Sequence, residues 1–486
     1  MKAVAASHRR LAARVFAWWI AYTAFVVYGS LVPLDYRPLP PGEAWARFQQ
    51  IPFLDLGAGS RADWIANGVL YAPLGFLTAL ALLARGWWRV LALPLAVIFG
   101  LGLALAVEYA QLFFPPRTVS LNDLLAEAIG SVTGAVAAVA IWGRRARWQR
   151  ERHAGAAWLH AHALALYAAA YLAYSLFPYD LLISAAELRD KLASDRWGWV
   201  LAGGEPRPLV TLLRLLAETL LSAPLGAWLA QRRIAGPSPP MQQRAGSPGS
   251  VRQADAEAAR AGMRAGSVAL AGLVWGLAIE AAQLLIVSGV TQGASVLTRL
   301  AGVMLGAWAW PRRHAYPPDV LRAALARAVP WAALPYLLLL LAVNGWWTDA
   351  WGGADGAAAK LASLRWQPFY YHYYTSEAQA LLSLTGVALA YAPIGLWAWA
   401  RRRPAAAAAI VAALACAFVE GGKLFLVGLR PDPTNLGIAA VAAALVTAAA
   451  AGWHRRRVTV ELGEDGRPII EPLPQPVRHH ATAAAQ

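Results

Sequence analysis

The chain has 486 residues, of which 58% are hydrophobic and only 14% are charged, with 43 Lys and Arg against 27 Asp and Glu. A soluble domain of this size could not bury so much apolar surface, so the composition excludes an ordinary soluble protein and predicts an integral membrane protein. The net charge of +16 would also fit a nucleic-acid-binding protein. However, the basic residues cluster in short loops between apolar runs, so no nucleic-acid partner is predicted.

Twelve apolar runs follow one another along the chain, each long enough for a helix to cross a hydrocarbon core of about 30 Å. They predict an all-α, polytopic membrane protein of about twelve transmembrane helices. The first run follows a basic stretch, as a secretion signal would, but no small-residue cleavage site comes after it, so we expect a retained helix. The runs cover 14–34, 63–84, 90–114, 120–142, 157–178, 208–230, 266–289, 293–311, 329–347, 377–400, 404–427 and 434–452.

The loops between the runs differ in charge on the two sides of the membrane. Most Lys and Arg residues lie in alternate connections, such as 85–89, 144–152 and 401–403, whereas the loop 179–207 mixes acidic and basic residues. Basic loops face the cytoplasm in most membrane proteins. The sequence therefore predicts a multi-pass protein of the cell (inner, cytoplasmic) membrane whose N- and C-termini are both cytoplasmic.

A short proline motif recurs in the second run of each group of four. Residues 71–75 read Tyr-Ala-Pro-Leu-Gly, residues 222–226 read Ser-Ala-Pro-Leu-Gly, and residues 391–395 read Tyr-Ala-Pro-Ile-Gly. One run later, a glutamate follows in each group: Glu108, Glu280 and Glu420. Recurrence at such spacing is typical of internal repeats, and an even number of spans keeps every copy in the same orientation.

The predicted organisation is therefore three tandem, progressively degenerate copies of a four-helix unit. The first copy spans 1–152, the second spans 153–315, and the third spans 316–454. The second copy contains the stretch 234–266, which is rich in Pro, Ser, Gly and Arg and is interpreted as a flexible cytoplasmic insertion. Residues 455–486 are interpreted as a polar cytoplasmic tail.

Polar residues of the first copy have helical spacings that place them on facing surfaces. In the second run Asn67 and Tyr71 are four residues apart, in the third Glu108 and Gln111 are three apart, and in the fourth Asp123 and Glu127 are four apart. Arg117 lies in the turn between the last two runs. Together these residues predict a polar pocket that opens to the outside, with Asp63 near its edge.

Two interpretations of this pocket stay open. In the functional one, Glu108 accepts a proton or binds a cation, and Arg117 attracts a carboxylate or phosphate. In the structural one, Glu108 pairs with Arg117, or is held protonated by Gln111, and the cluster joins helices. For the later copies the structural interpretation is favoured, through the pairs Glu280 with Arg299 and Glu420 with Lys423.

Motifs for cofactor, metal or catalytic sites give no further assignment. No zinc-ligand spacing, phosphate-binding loop or dinucleotide fingerprint occurs, so neither a metal nor a cofactor is predicted. No recognisable catalytic set supports an enzyme, although none is excluded.

The order and spacing of the first-copy motifs resemble those of the VanZ-like membrane proteins. The resemblance covers about 15–142 well, is weaker over 157–311 and weakest over 329–452. It implies a small helical membrane unit with a role in the cell envelope, including susceptibility to teicoplanin-type glycopeptide antibiotics, and it implies no known reaction. Glu127 and the triplication both depart from the family's usual pattern. The motifs are Asn67, the stretch 71–76, Glu108 with Gln111, Arg117, Asn122 with Asp123, and Gly130 with Gly134.

Three functions follow from these residues and remain alternatives. The first is an envelope protein whose pocket binds a lipid-linked or anionic envelope ligand, with membrane lipid around it and the oligomeric state left open. The second is a secondary transporter, although common twelve-span transporters divide into two halves of six rather than three groups of four. The third is a membrane-embedded enzyme acting at the outer surface, with Glu108 or Asp123 as general base.

Overall fold

The computed structural model describes residues 2–55, 57–150, 154–203, 208–234, 250–312 and 317–460. Within these ranges the chain forms sixteen α-helices and one sheet of two very short strands. These described residues divide into two compact units, the first drawn from 1–314 with 365–383 and the second from 315–364 with 384–486. The predicted all-α fold of a polytopic membrane protein is confirmed.

The first predicted copy contains four long helices and one short one. The short helix α2 lies in the loop that follows α1, and the long helices α3, α4 and α5 correspond to the second, third and fourth apolar runs. The bounds are α1 Lys2–Leu31, α2 Pro41–Gln49, α3 Ala58–Ala84, α4 Arg89–Gln111 and α5 Leu121–Arg150.

The second predicted copy repeats this order of long and short helices, and the third differs from it only by a second short helix, α13. The second adds two short parallel strands, β1 and β2, which pair with each other. Its elements are α6 Ala154–Leu176, α7 Ala185–Ala193, β1 Trp197–Gly198, α8 Pro208–Ile234, α9 Ser250–Leu284, β2 Thr291–Gln292 and α10 Gly293–Arg312. The third consists of α11 Pro318–Val343, α12 Ala354–Ala362, α13 Tyr370–Tyr373, α14 Glu377–Ala400, α15 Ala405–Lys423 and α16 Thr434–Val460.

Ten of the described helices are long and apolar enough to cross a membrane, against about twelve predicted. The two remaining runs also form helices. The run 157–178 falls in α6, whose apolar part Ala163–Leu176 is short. The run 293–311 forms α10, and Arg299 within this run lowers its hydropathy.

The interpretation of 234–266 as a flexible insertion differs from the structure over its second half. Helix α9 begins at Ser250, so residues 250–266 are helical. The reason is composition, because six alanines between 254 and 265 favour helix even where no apolar stripe is present. Residues 235–249, together with 461–486 of the predicted tail, lie outside the described residues.

Glycines bring the second and fourth long helices of a copy into direct backbone contact. A Cβ added at Gly130 or Gly134 of α5 would collide with the carbonyl oxygens of Gly68 and Ala72 of α3. In the second copy, Gly306 of α10 meets the carbonyl oxygen of Ala223 of α8 in the same way. Small residues at such spacing let membrane helices pack at close range, where dispersion contacts replace the missing hydrophobic driving force.

A backbone hydrogen bond recurs in the three predicted copies and ties the loop after the first long helix to the end of the third. The donor and acceptor are Arg37 N and Phe113 O at 2.8 Å, Leu182 N and Leu285 O at 2.8 Å, and Gly352 N and Phe425 O at 2.6 Å. The bond closes the end of each copy at which the recurrent glutamate lies.

Substituting Gly134 by Ala should destabilise the protein, because the new methyl group would force α3 and α5 apart. Overpacking of this kind costs about 1 to 3 kcal/mol. The matched control is Gly102→Ala in α4, where an added Cβ meets no atom within 4 Å. Thermal unfolding in detergent should show a lower Tm for the first variant and an unchanged or slightly higher Tm for the second. Equal Tm values would contradict the close packing.

Candidate functional site

The polar residues of the first copy gather at one end of α3, α4 and α5, away from the basic connection 85–88. Helix α4 ends at Gln111, one turn after Glu108, and α5 begins at Leu121. Ser120 caps α5, because its Oγ accepts a hydrogen bond from Asp123 N at 3.2 Å. The turn between the two helices therefore brings Glu108 and Asp123 to the same place.

Glu108 and Asp123 are held through Ser120 and Asn67. The Ser120 backbone N–H donates to Glu108 Oε2 at 3.3 Å, and its hydroxyl donates to Asp123 Oδ2 at 2.7 Å. The Asn67 amide of α3 donates to Asp123 Oδ1 at 2.7 Å. Both oxygens of Asp123 thus accept hydrogen bonds, while Glu108 is almost fully buried at 2% exposure.

Ser120 and Asn122 have structural roles in the site that the sequence interpretation did not assign. Asn122 is buried and exchanges two hydrogen bonds with the backbone of Leu54, at 2.7 and 3.1 Å, which holds the preceding loop against α5. Ser120 with Asp123 follows the Ser-x-x-acid pattern of a helix start, so a search for capping motifs could have identified it.

Glu127 and Tyr71 lie deeper in the same cluster and are both buried. Glu127 interacts electrostatically with Glu108, Asp123 and the Tyr71 hydroxyl. Neither Tyr71 Oη nor Glu127 Oε2 has a well-aligned hydrogen-bond partner among the described residues, and the same holds for Ser131 Oγ. Tyr71 and Glu127 still interact with each other as a donor and an acceptor, so the poor alignment of this contact leaves only part of their hydrogen-bonding capacity unused.

Gln111 has a structural role. Its Nε2 donates to Ser30 O at the end of α1, at 3.0 Å, and Gln283 makes the equivalent bond to Ser175 O at 2.9 Å. The side-chain amide of Gln111 therefore bonds to α1, and it makes no hydrogen bond to Glu108. Its Oε1 is buried and has no partner in the part of the chain that the structure describes.

Arg117 lies in the turn after α4, within reach of several acidic residues. Its guanidinium donates to Gly29 O and lies over the Tyr373 ring, 4.6 Å from the ring centroid. Burial lowers the pKa of Arg117, while Tyr373, Asp63, Glu108 and Asp123 oppose that effect. No ion pair within 4 Å joins Arg117 to Glu108 in the described chain, so the structural interpretation in which these two residues pair is wrong.

The equivalent glutamate of the second copy is neutralised. Glu280 forms an ion pair with Arg299, and the side chains of both are less than 10% exposed. Glu280 Oε2 also accepts the backbone N–H of Gln292 at 2.6 Å, and Arg299 Nε donates to the Tyr171 hydroxyl at 3.3 Å. Arg299 occupies the position that Glu127 has in the first copy, so one substitution converts a second acid into a counter-ion.

The glutamate of the third copy is neutralised by a different residue. Lys423 Nζ donates to Glu420 Oε1 at 2.8 Å, three residues apart on the same helix. Asn435 Nδ2 donates to the same oxygen at 2.8 Å, and Asp432 N donates to Oε2 at 2.9 Å. Glu420 is therefore fully engaged by its own copy.

In the later copies, a lysine on a short loop helix donates hydrogen bonds to carbonyl groups at the end of the third long helix. Lys191, the seventh residue of α7, donates to the carbonyls of Gln283 and Ile286, and burial lowers its pKa to about 8. Lys360, the seventh residue of α12, binds three carbonyls of α15 and its following turn. In the first copy, the seventh residue of α2 is Arg47, which is exposed and pairs with Glu43 at 2.6 Å.

These differences leave the first copy with an acidic cluster and a separate cation. Glu108, Asp123 and Glu127 have no basic side chain within ion-pair distance among the described residues. Such a cluster can hold protons, accept hydrogen bonds from a ligand or attract a cation, and Arg117 can bind an oxyanion at its rim. No group of three or more His, Cys, Asp or Glu suited to a metal ion occurs in the described ranges.

A family model described as VanZ/LLP1 matches residues 18–142. This part of the chain is VanZ-like. The VanZ-like domain, residues 18–142, includes every residue of the acidic cluster as well as Arg117. No curated protein and no solved structure matches the chain.

Replacing Glu280 by Gln should lower the free energy of unfolding, since Arg299 would remain buried without its counter-ion. Breaking a buried pair from one side costs about 3 to 5 kcal/mol. The double variant Glu280→Gln with Arg299→Met should recover most of that loss. By contrast, Glu108→Gln should change the free energy of unfolding much less, because no ion pair is broken. A Tm for Glu108→Gln as low as that of Glu280→Gln would show that the negative charge of Glu108 also stabilises the fold.

Proposed function

We propose that the VanZ-like domain forms an outward-facing polar pocket of the cell membrane that binds an anionic, lipid-linked ligand of the envelope. Through this ligand the protein would influence susceptibility to teicoplanin-type glycopeptides, as the resemblance implies. The observation that carries the proposal is the contrast between the glutamates: Glu280 and Glu420 have basic partners, whereas Glu108 lies beside a second acid, Glu127. Ionisable groups within membrane segments are costly, so they are candidates for functional sites by default.

The orientation is part of the proposal and rests on charge. The acidic cluster lies at the α4–α5 turn, and the basic residues Arg85 and Arg89 flank the opposite ends of α3 and α4. If the basic end faces the cytoplasm, both termini are cytoplasmic and the cluster faces outward. A ligand of the outer leaflet would then reach Arg117 without crossing the membrane.

The two parts of the site suit two parts of one ligand. Arg117 would bind a phosphate or carboxylate through charge-assisted hydrogen bonds. Glu108 and Glu127 would accept hydrogen bonds from hydroxyl, amide or amine groups of the same molecule, since Glu127 Oε2 has no well-aligned hydrogen bond within the described chain and only Tyr71 interacts with this carboxyl group as a donor. Asp123 is less available, because Asn67 and Ser120 already bind its two oxygens. This also weakens its candidacy as the general base of an enzyme.

A proton-coupled secondary transporter is the second candidate. Glu108 and Glu127 are both buried and interact with each other, so ionising one disfavours ionising the other. A pair of this kind suits proton uptake and release during transport. Uptake of an envelope precursor into proteoliposomes, driven by a pH gradient and abolished in Glu127→Gln, would favour this candidate over simple binding.

Glu108→Gln and Arg117→Ala should each abolish the effect of the protein on glycopeptide susceptibility. The measurement is the minimum inhibitory concentration of teicoplanin for a deletion strain that expresses each variant at matched levels. The control is Glu280→Gln with Arg299→Met, which removes the equivalent glutamate without leaving a buried charge. If both test variants restore the wild-type minimum inhibitory concentration, as the control does, the proposal of a binding pocket is wrong.

A further inference from the structure

Residues 365–383 belong to the third predicted copy in sequence, but they pack with the first compact unit. The Tyr28 hydroxyl of α1 donates to Pro368 O at 2.8 Å, and the rings of Phe25 and Phe369 meet edge to face at 6.4 Å. At the start of α14, the Glu377 carboxyl group interacts with Asp63 of α3. This segment therefore contacts the VanZ-like domain at several points around the candidate site.

Tyr373 of this segment makes two contacts with the turn that carries Arg117. Its ring face lies against the guanidinium, and its hydroxyl donates to Pro116 O. One side chain thus contacts both the cation and the backbone next to it. An Arg stacked on an aromatic ring gains cation–π energy and loses the freedom to swing away.

We infer that Tyr373 is a positioning residue of the VanZ-like site, which orients Arg117 to bind an oxyanion edge-on. One face of the guanidinium lies against the ring, and one terminal nitrogen donates to Gly29 O. Arg117 Nε is buried and has no partner in the described residues. Donors along the edge of a guanidinium match the oxygens of phosphate and carboxylate, so the unpaired Nε donor is suited to that chemistry.

This inference rests on the proposed function, in which Arg117 binds a phosphate or carboxylate of the ligand. It also makes the site composite, because the third copy supplies a side chain that the first copy lacks. The alternative is that Tyr373 is an ordinary aromatic of the membrane interface. Trp366 of the same segment offers a comparison, since this residue is 68% exposed.

The contact between the two segments can be tested without any ligand. Hydrogen–deuterium exchange of the full chain in detergent should show faster exchange at 112–120 in Tyr373→Ala, and faster exchange at 366–376 in Arg117→Ala. Tyr373→Phe keeps the ring and should remain near the wild type, as should Trp366→Ala. Unchanged exchange in both alanine variants would overturn the inference.

The role of Tyr373 in binding is tested with phosphatidic acid as the probe and diacylglycerol as its uncharged counterpart. Native mass spectrometry of the delipidated full chain should show binding of phosphatidic acid and not of diacylglycerol. Tyr373→Ala and Arg117→Ala should each weaken that binding about tenfold, roughly the loss of one cation–π or charge-assisted contact. Tyr373→Phe should bind phosphatidic acid nearly as well as the wild type, and Trp366→Ala should bind it unchanged.

The outcomes separate the two proposals. If Arg117→Ala weakens binding and Tyr373→Ala does not, the proposed function stands and the positioning role is wrong. If neither variant weakens binding, the anion site itself is wrong, and the positioning role falls with it. Displacement of phosphatidic acid by inorganic phosphate would show that the oxyanion alone is recognised, whereas resistance to phosphate would assign recognition to the lipid-borne headgroup; either result supports edge-on binding.

Discussion

The structure depends on a buried glutamate near the end of the third long helix of each predicted copy. In all three, its Oε2 accepts the backbone N–H of the residue twelve positions later: Ser120, Gln292 and Asp432. This bond fixes the path of the chain between the third and fourth long helices. A buried carboxylate is costly unless its charge is compensated, and the three copies differ in how they compensate it.

In the second and third copies, a basic residue of the same copy compensates the charge. Arg299 and Lys423 neutralise their glutamates, and Lys191 and Lys360 bind carbonyls at the helix end, so the glutamates and these carbonyls already have partners among the described residues. In the VanZ-like domain the same position is more acidic, and its cation, Arg117, lies at the rim. The physical reason to place function there is that its charge and its hydrogen-bonding groups are only partly satisfied by the protein itself.

The helix packing holds the side chains of the cluster close together. Glycines of α5 bring its backbone against that of α3, so the side chains that project just beyond this contact are held at short range. Asn67 and Asp123 meet across the same two helices. A site supported by close-packed backbones changes little when side chains elsewhere vary, which fits the retention of this packing in the second copy, where the polar groups differ.

The sequence by itself determined the fold class, the position of most membrane helices and the polar residues of the first copy. Hydrophobic run length and helical spacing are local properties, so Asn67, Asp123 and Glu108 could be placed on facing surfaces before the structure was known. The role of Gln111 and the absence of a Glu108–Arg117 pair depend on side-chain direction across helices, which spacing does not specify. Only the tertiary structure brought Tyr373 to Arg117, because no periodic pattern relates residues more than two hundred positions apart.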